Sequence, residues 1–334
     1  MKVKIHKIIT TSIFLLLISN SVCGQLFPNL GGQRVGTSAA QFLKIGIGAR
    51  SLGMGESFVA VANDAEALYW NPAGISQFNK NDLFFSHIKW FVDINVDYAG
   101  LVYHINTVNS IGLFFTVLST EDMMETTELQ PFGTGSYFSY SDFVAGLTYA
   151  RNMTDKFSFG ITVKYLNETL AELSMSSFLF DFGTYYKTGW KTTRFAVSVS
   201  NFGPEIAPSG SFIYENLDNE KIEVDEFQKF SPPIMFRIGI ATEVFENSIH
   251  KLTWSVQLNH PNDNIENINL GVEYWWRKLI AIRGGYITGR VERDISLGLG
   301  INIPAAGGNL HLDYSFSNFG RLGYINQFTV HLMF

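Results

Sequence analysis

The sequence has almost no cysteine: one residue, Cys23, in 334. That residue lies inside an N-terminal stretch laid out like an export signal, so the processed chain would hold no disulfide even in a compartment where disulfides form. Charge is also scarce, at 16% of residues, and the net charge of −6 gives nucleic acid nothing to bind, so no nucleic-acid partner is expected. Beyond the N-terminal stretch no apolar run reaches the ~18 residues that a membrane-crossing helix requires. H-E-x-x-H, G-x-S-x-G and Cys/His clusters with metal spacing are all missing, so neither a catalytic site nor a metal or cofactor is expected. The seven histidines are scattered. His311 and Asp313 share one strand face, but no nucleophile stands beside them, and the chain is not expected to be an enzyme.

What is present points to a membrane. Lys2, Lys4 and Lys7 precede an apolar stretch from Ile8 to Ile18, and Val22 and Gly24 suit the −3 and −1 positions of a cleavage site, so residues 1–24 form a signal for Sec export. Acylation at Cys23 fits less well, because Asn20 and Val22 replace the residues a lipobox prefers. Hydrophobic residues make up 46% of the chain and aromatics 15%, with 29 Phe, 14 Tyr and 6 Trp. So much apolar surface with so little charge has to be hidden somewhere.

The hydrophobic period is two. Leu252, Trp254, Val256 and Leu258 alternate with Thr253, Ser255, Gln257 and Asn259; Ile295, Leu297, Leu299, Ile301 and Ile303 alternate with Ser296, Gly298, Gly300 and Asn302. The polar face also carries Arg237, Glu243, Glu273 and Arg283, which suits a hydrated or plugged lumen. The alternation predicts fourteen strands: 82–90, 96–106, 110–119, 139–151, 156–167, 177–188, 192–202, 232–244, 250–260, 267–277, 279–288, 293–303, 308–317 and 322–334. Their length suits tilted transmembrane strands, and aromatics such as Trp90, Tyr186, Trp190, Trp276 and Tyr286 crowd their ends. Short connections alternate with a set that contains every long one (120–138, 168–176 and 203–231), as an outer-membrane barrel requires, and Phe334 supplies a terminal aromatic. The expected fold is all-β: a transmembrane antiparallel β-barrel of about 14 strands in the bacterial outer membrane, with lipid on its apolar face. Residues 81–334 would form the barrel and residues 25–80 an N-terminal hatch or plug inside it.

The stretch KIGIGARSLGMGESFVAVANDAEALYWNPAG, residues 44–74, has five glycines. Gly48 and Gly53 have P-loop spacing, but Met54 and Gly55 stand where the Lys and Ser/Thr belong, so a phosphate cradle is excluded in favour of close-packed irregular backbone. The longer stretch 36–76 resembles the N-terminal signature of the PorV/PorQ family, relatives of FadL-type outer-membrane barrels. The matching blocks are Gln41 to Gly46, Gly48 to Gly55 and Asp64 to Gly74. The repeated Ser-Asn-Phe-Gly at 200–203 and 317–320 supports the match over the rest of the chain. The resemblance implies a fourteen-stranded FadL-like barrel with its N-terminal segment folded inside. It also implies association with the type IX secretion system, as an accessory or shuttle that binds the translocon or secreted cargo. The alternative is a FadL-like transporter with a hydrophobic or aromatic ligand in the lumen.

Arg50 and Asp64 are charges within a small, apolar segment, and a buried charge needs a partner. They are expected either to lock the plug against lumen charges such as Glu273 or Arg283, with Arg237 nearby, or to gate a solute path. Trp70 would close a short helix from about Asp64 with Asn63 as its cap, and Asn71-Pro72 would end it. Two outer loops carry exposed aromatics and methionines suited to a partner: Met123, Met124 and Phe132 in one, Phe212, Tyr214 and Phe227 in the other.

Overall fold

The computed structural model describes residues 35–128, 130–215, 221–289, 294–305 and 307–334; the predicted signal and the first ten residues of the predicted hatch lie outside them. Strands β1 (Asp82–Lys89), β2 (Asn95–His104) and β3 (Asn109–Ser119) begin the barrel. A loop hairpin of β4 (Met123–Met124) and β5 (Tyr137–Phe138) follows, then β6 (Tyr140–Asn152), β7 (Phe157–Leu170), β8 (Leu173–Lys187) and β9 (Arg194–Phe202). A second loop hairpin, β10 (Phe212–Glu215) and β11 (Lys221–Val224), precedes β12 (Met235–Glu246), β13 (His250–Pro261) and β14 (Asn267–Trp276). The chain closes with β15 (Ile280–Thr288), β16 (Ile295–Ala305), β17 (Gly308–Asn318) and β18 (Tyr324–Met333).

The two loop hairpins aside, fourteen strands form one closed antiparallel barrel in which each pairs with its sequence neighbours. β1 closes on β18, from Asp82 opposite Met333 to Lys89 opposite Asn326. Closure removes every sheet edge, which is how backbone polar groups are satisfied in a bilayer. Alternation decides which side chains face out: Leu297, Leu299, Ile301 and Phe328 are each at least half exposed, while Ser296, Ser315, Gln327 and Thr329 are buried in the lumen.

The predicted strands correspond one to one with the fourteen observed, with ends displaced by a few residues. One connection is corrected: 168–176 is not a loop, because β7 and β8 pair up to Leu170 opposite Leu173 and leave only residues 171 and 172 as a turn. Thr169, Ser174 and Ser176 break the apolar alternation there, but the hydrogen-bond ladder does not depend on it. The loops 120–139 and 203–234 remain the long ones, on the side opposite the chain's C-terminal end.

The lumen has two unlike walls. From β1 to β8 it is lined by Phe84, Tyr98, Val102, Phe114, Leu118, Val144, Leu166 and Leu179. From β13 to β18 it is lined by Ser255, Gln257, Asn259, Asn269, Ser315 and Gln327, all buried.

Candidate functional site: the buried N-terminal segment and the long loops

Residues 38–76 thread between these walls. The segment starts at the long-loop side, where Ser38 bridges Ser231 and Lys44 reaches Asp263 at 2.8 Å. It leaves at the short-turn side, where Gln77 Nε2 donates to Ser158 Oγ and the backbone of Asn81 pairs with that of Phe334. Its glycines explain its closeness to the wall. Gly53 and Gly55 lie against Gly298 and Gly285; a Cβ on Gly53 would stand 2.8 Å from the Gly298 Cα, and one on Gly55 2.9 Å from the Gly285 Cα. Gly55 also has φ of 63°, where a side chain is strained.

A five-residue helix, Ala49–Gly53, carries Arg50 to the centre of an ionic cluster. Arg50 Nε and Nη2 donate to Glu273 Oε2 and Oε1, both at 2.8 Å, and Nη1 donates to Asp64 Oδ2 at 2.6 Å. Arg283 Nε donates to Glu273 at 2.7 Å and its Nη1 to Asp313 at 2.6 Å. Two guanidinium groups thus share one buried glutamate, a geometry that repays part of the desolvation cost of each ion. Of the two partners expected for Arg50 and Asp64, Glu273 joins Arg50 directly, whereas Asp64 bonds Arg50 rather than Arg283. Asp313, which shares a strand face with His311, is engaged by Arg283.

Glu66 adds a contact that the sequence did not disclose. Its Oε1 and Oε2 accept from the Arg50 and Ser51 amides at 3.2 and 3.0 Å, satisfying donors at the start of the helix. His331 lies near it, with Nδ1 3.0 Å from Asp82 Oδ2, and Asp82 accepts from the Ala65 amide. Gln257 Oε1 accepts from both the Phe58 and Val59 amides. No spacing in the chain points to these residues, because their partners lie up to some 250 positions away.

The second helix is shorter than expected, Ala67–Trp70, and Asn63 does not cap it. Asn63 Oδ1 accepts instead from Arg50 Nη1 at 2.7 Å. Trp70 is buried; its indole N–H donates to the Ile47 carbonyl at 2.8 Å, and the Arg237 guanidinium lies 5.2 Å from its ring centroid. Asn71 ends that helix and starts another, a 3-10 turn at Pro72–Ser76, its side chain accepting from the Ala73 amide and donating to the Val59 and Thr184 carbonyls. Arg237 also donates to Ser200 Oγ at 2.8 Å.

Of the cavities beside the segment, two lie on either side of the five-residue helix. One of about 400 Å³ opens toward the long loops and is lined by Phe42, Ile45, Leu52, Trp90, Leu118, Met235, Ile265 and Phe319. The other, about 320 Å³, lies toward the short turns and is lined by Arg50, Asp64, Trp275, Lys278 and His311. At the long-loop end, burial opposes ionisation of Asp263, but hydrogen bonds from Lys44 and Gln41 outweigh it and hold the carboxyl below its usual range. Among the described residues no group of three or more His, Cys, Asp or Glu converges as a metal centre would require.

The long loops carry most of the predicted partner-binding residues on their surface. Met123 and Met124 stand on the first hairpin, exposed, and Phe132 in the same loop is 94% exposed. Phe212 stands on the second hairpin with its ring 6.2 Å from that of Phe227; the Tyr214 side chain lies outside the described residues.

Among solved structures, the toluene transporter TbuX of Ralstonia pickettii is 12% identical over 86% of this chain and 97% of its own, with a TM-score of 0.56. The monoaromatic hydrocarbon channel CymD is 13% identical over 86% and 97%, also at 0.56. The Pseudomonas putida toluene transporter TodX is 13% identical over 86% and 96%, again at 0.56. Identities this low carry the barrel fold and nothing finer. No curated protein matches the sequence. The model of one family, described as type IX secretion system protein PorV, matches residues 29–260, which take in the whole buried segment, the strands from β1 to β12 and all but the last residue of β13. With more than half its length matched in this way, the chain belongs to the PorV family of type IX secretion system proteins.

Proposed function

We propose that this chain is a non-enzymatic outer-membrane barrel that serves type IX secretion as an accessory or shuttle. It engages the translocon or a secreted cargo protein through its long loops while residues 38–76 stay in place as a plug. The observation that carries this reading is the family match over residues 29–260, and the ionic cluster at Arg50 supports it. A plug whose Arg50 is bound to the buried wall carboxylate Glu273 is costly to move, whereas Phe132, Ile213 and the methionine hairpin are exposed at no such cost. Purification in gentle detergent tests it: the barrel should carry with it a large outer-membrane complex or secreted protein, and deletion of 208–228 should weaken that association. Unchanged secretion in a deletion strain, with no crosslinked partner, would end the idea.

A second reading is favoured by the cavity of about 400 Å³, whose mainly apolar lining sets Phe42, Trp90 and Phe319 beside Lys44, Glu56 and Asn267. A hydrophobic or aromatic small molecule would fit its chemistry. Native mass spectrometry on barrels extracted without added lipid separates the two readings, because the transporter requires a retained apolar ligand and the accessory does not.

A further inference from the structure

Every buried carboxylate of the central cluster has a cationic partner: Glu273 with Arg50 and Arg283, Asp64 with Arg50, and Asp313 with Arg283. The rule extends up the lumen to Asp181 with Lys164, Glu243 with Arg194 and Asp263 with Lys44. Asp142 breaks it. This residue faces the lumen from β6 at 1% exposure, and neither of its carboxylate oxygens has a hydrogen-bond partner. Directly opposite on β7 stands a second carboxylate, Glu168, whose Oε2 is also buried and unpartnered. Among the described residues no Lys, Arg or His lies within ion-pair distance of either.

Like charges facing each other across a strand pair repel, and a buried carboxylate without a partner costs several kcal/mol on its own. The rest of the neighbourhood does not relieve this. Leu118 pairs with Asp142 on the other side, and Val144 follows it on the same lumen face. Tyr140 brings its hydroxyl near both carboxylates without meeting hydrogen-bond geometry to Asp142. The Ala40 amide lies beside Glu168. Apart from that amide, the polar side-chain atoms that gather here are all oxygens, near the end of the barrel that faces the long loops.

We propose that Asp142 and Glu168 form a binding site for a hard divalent cation of the calcium class, with Tyr140 alongside and water completing the shell. Oxygen donors without nitrogen or sulfur select such an ion over transition metals, and two carboxylates match its charge. Ala40 has φ of 47° and precedes the turn Gln41–Lys44, so an ion at Glu168 also fastens the outer end of the buried segment to β6 and β7.

Terbium luminescence on the purified, detergent-solubilised barrel tests the site, because Tyr140 sits close enough to sensitise a lanthanide. The wild type should show an emission component that calcium displaces, and D142N/E168Q should lose it, its terbium affinity falling by about tenfold or more. Both substitutions are isosteric, and heat-modifiable gel mobility checks that the variant barrel is folded. Equal displaceable emission from the wild type and the folded variant would overturn the proposal. So would a protonated-carboxyl infrared band that persists at neutral pH in millimolar calcium and disappears in D142N, since the pair would then be sharing a proton.

Discussion

Replacing Arg50 with methionine tests what holds the segment in place. The guanidinium makes two hydrogen bonds to Glu273, one to Asp64 and one to Asn63, and lies 5.2 Å from the centroid of Phe58. Methionine keeps the contact with Phe58, strands Asp64 and leaves Glu273 with Arg283 alone. Removing one partner of a buried pair costs roughly 3–5 kcal/mol, and because Arg283 still holds Glu273, the lower end applies. About 3 kcal/mol is roughly a hundredfold in a local opening equilibrium. Hydrogen–deuterium exchange should therefore accelerate on the order of a hundredfold at the amides of residues 49–62, while the strand amides keep their protection. The variant R50M/D64N/E273Q separates stranded charge from lost packing: with Asp64 and Glu273 both neutral and Arg283 still paired with Asp313, most of the protection should return. Unchanged exchange in R50M would refute the reasoning and leave the glycine contacts and the apolar wall as the anchor. A triple variant as loose as R50M would assign the effect to shape rather than charge.

Gly285→Ala should destabilise the assembled barrel or displace the segment, because the new Cβ overlaps the Gly55 backbone, which has no side chain to swing away; Gly284→Ala next to it meets nothing within 4 Å and should be near neutral in a thermal melt. The Lys44 contact to Asp263 should depend on pH with a definite sign. Because the folded carboxyl is held low, its stabilisation is fully present above the ordinary carboxylate pKa of about 4 and is lost as pH falls through the folded value, so amide hydrogen exchange of residues 38–44, corrected for its intrinsic pH dependence, should lose protection only in that acid window. Phe132→Ser should leave the melting temperature unchanged and reduce co-purification of a partner, since a side chain 94% exposed contributes almost nothing to folding; an equal yield of partner would remove this residue from the proposed surface.

The barrel was readable because its signal is one-dimensional. Leu297, Leu299 and Ile301 face lipid while Gly298 and Gly300 face the lumen, a contrast written along each strand with period two. The signal faded where a strand rises beyond lipid. Thr169 and Ser174 pair within a ladder that has no apolar face to reveal it, and the two-residue strands Met123–Met124 and Tyr137–Phe138 are too short to alternate. For the site, Arg50 was legible as a charge in an apolar segment, and the need for a partner followed from electrostatics. That the partner is Glu273, 223 residues away, with Arg283 sharing it, depends on β14 and β15 being adjacent and in register at those two positions. Asn63 misled for a related reason: its position before a helix suggested a cap, but a buried guanidinium competes better for its oxygen than backbone amides do.

The buried segment is anchored by different kinds of contact along its length. Between Ala49 and Ser76 it is held by the ionic cluster, by glycine-to-glycine backbone contact and by Asn71, Trp70 and Gln257, all of them buried. Between Ser38 and Lys44 it is held by the bridge to Ser231, by Gln41 and Lys44 on Asp263, by the Tyr69 hydroxyl on the Leu43 carbonyl and by the burial of Phe42 and Leu43. A displacement confined to residues 38–44 would enlarge the cavity lined by Phe42 and Ile45 and leave the contacts of Arg50 in place. Leu52 lines that cavity and Arg50 the one on the far side of the same five-residue helix, so an opening of this kind admits a guest from the loop side and still stops it at the helix. The accessory role proposed above needs access from one side only; the transporter reading would need the Arg50 cluster to come apart as well.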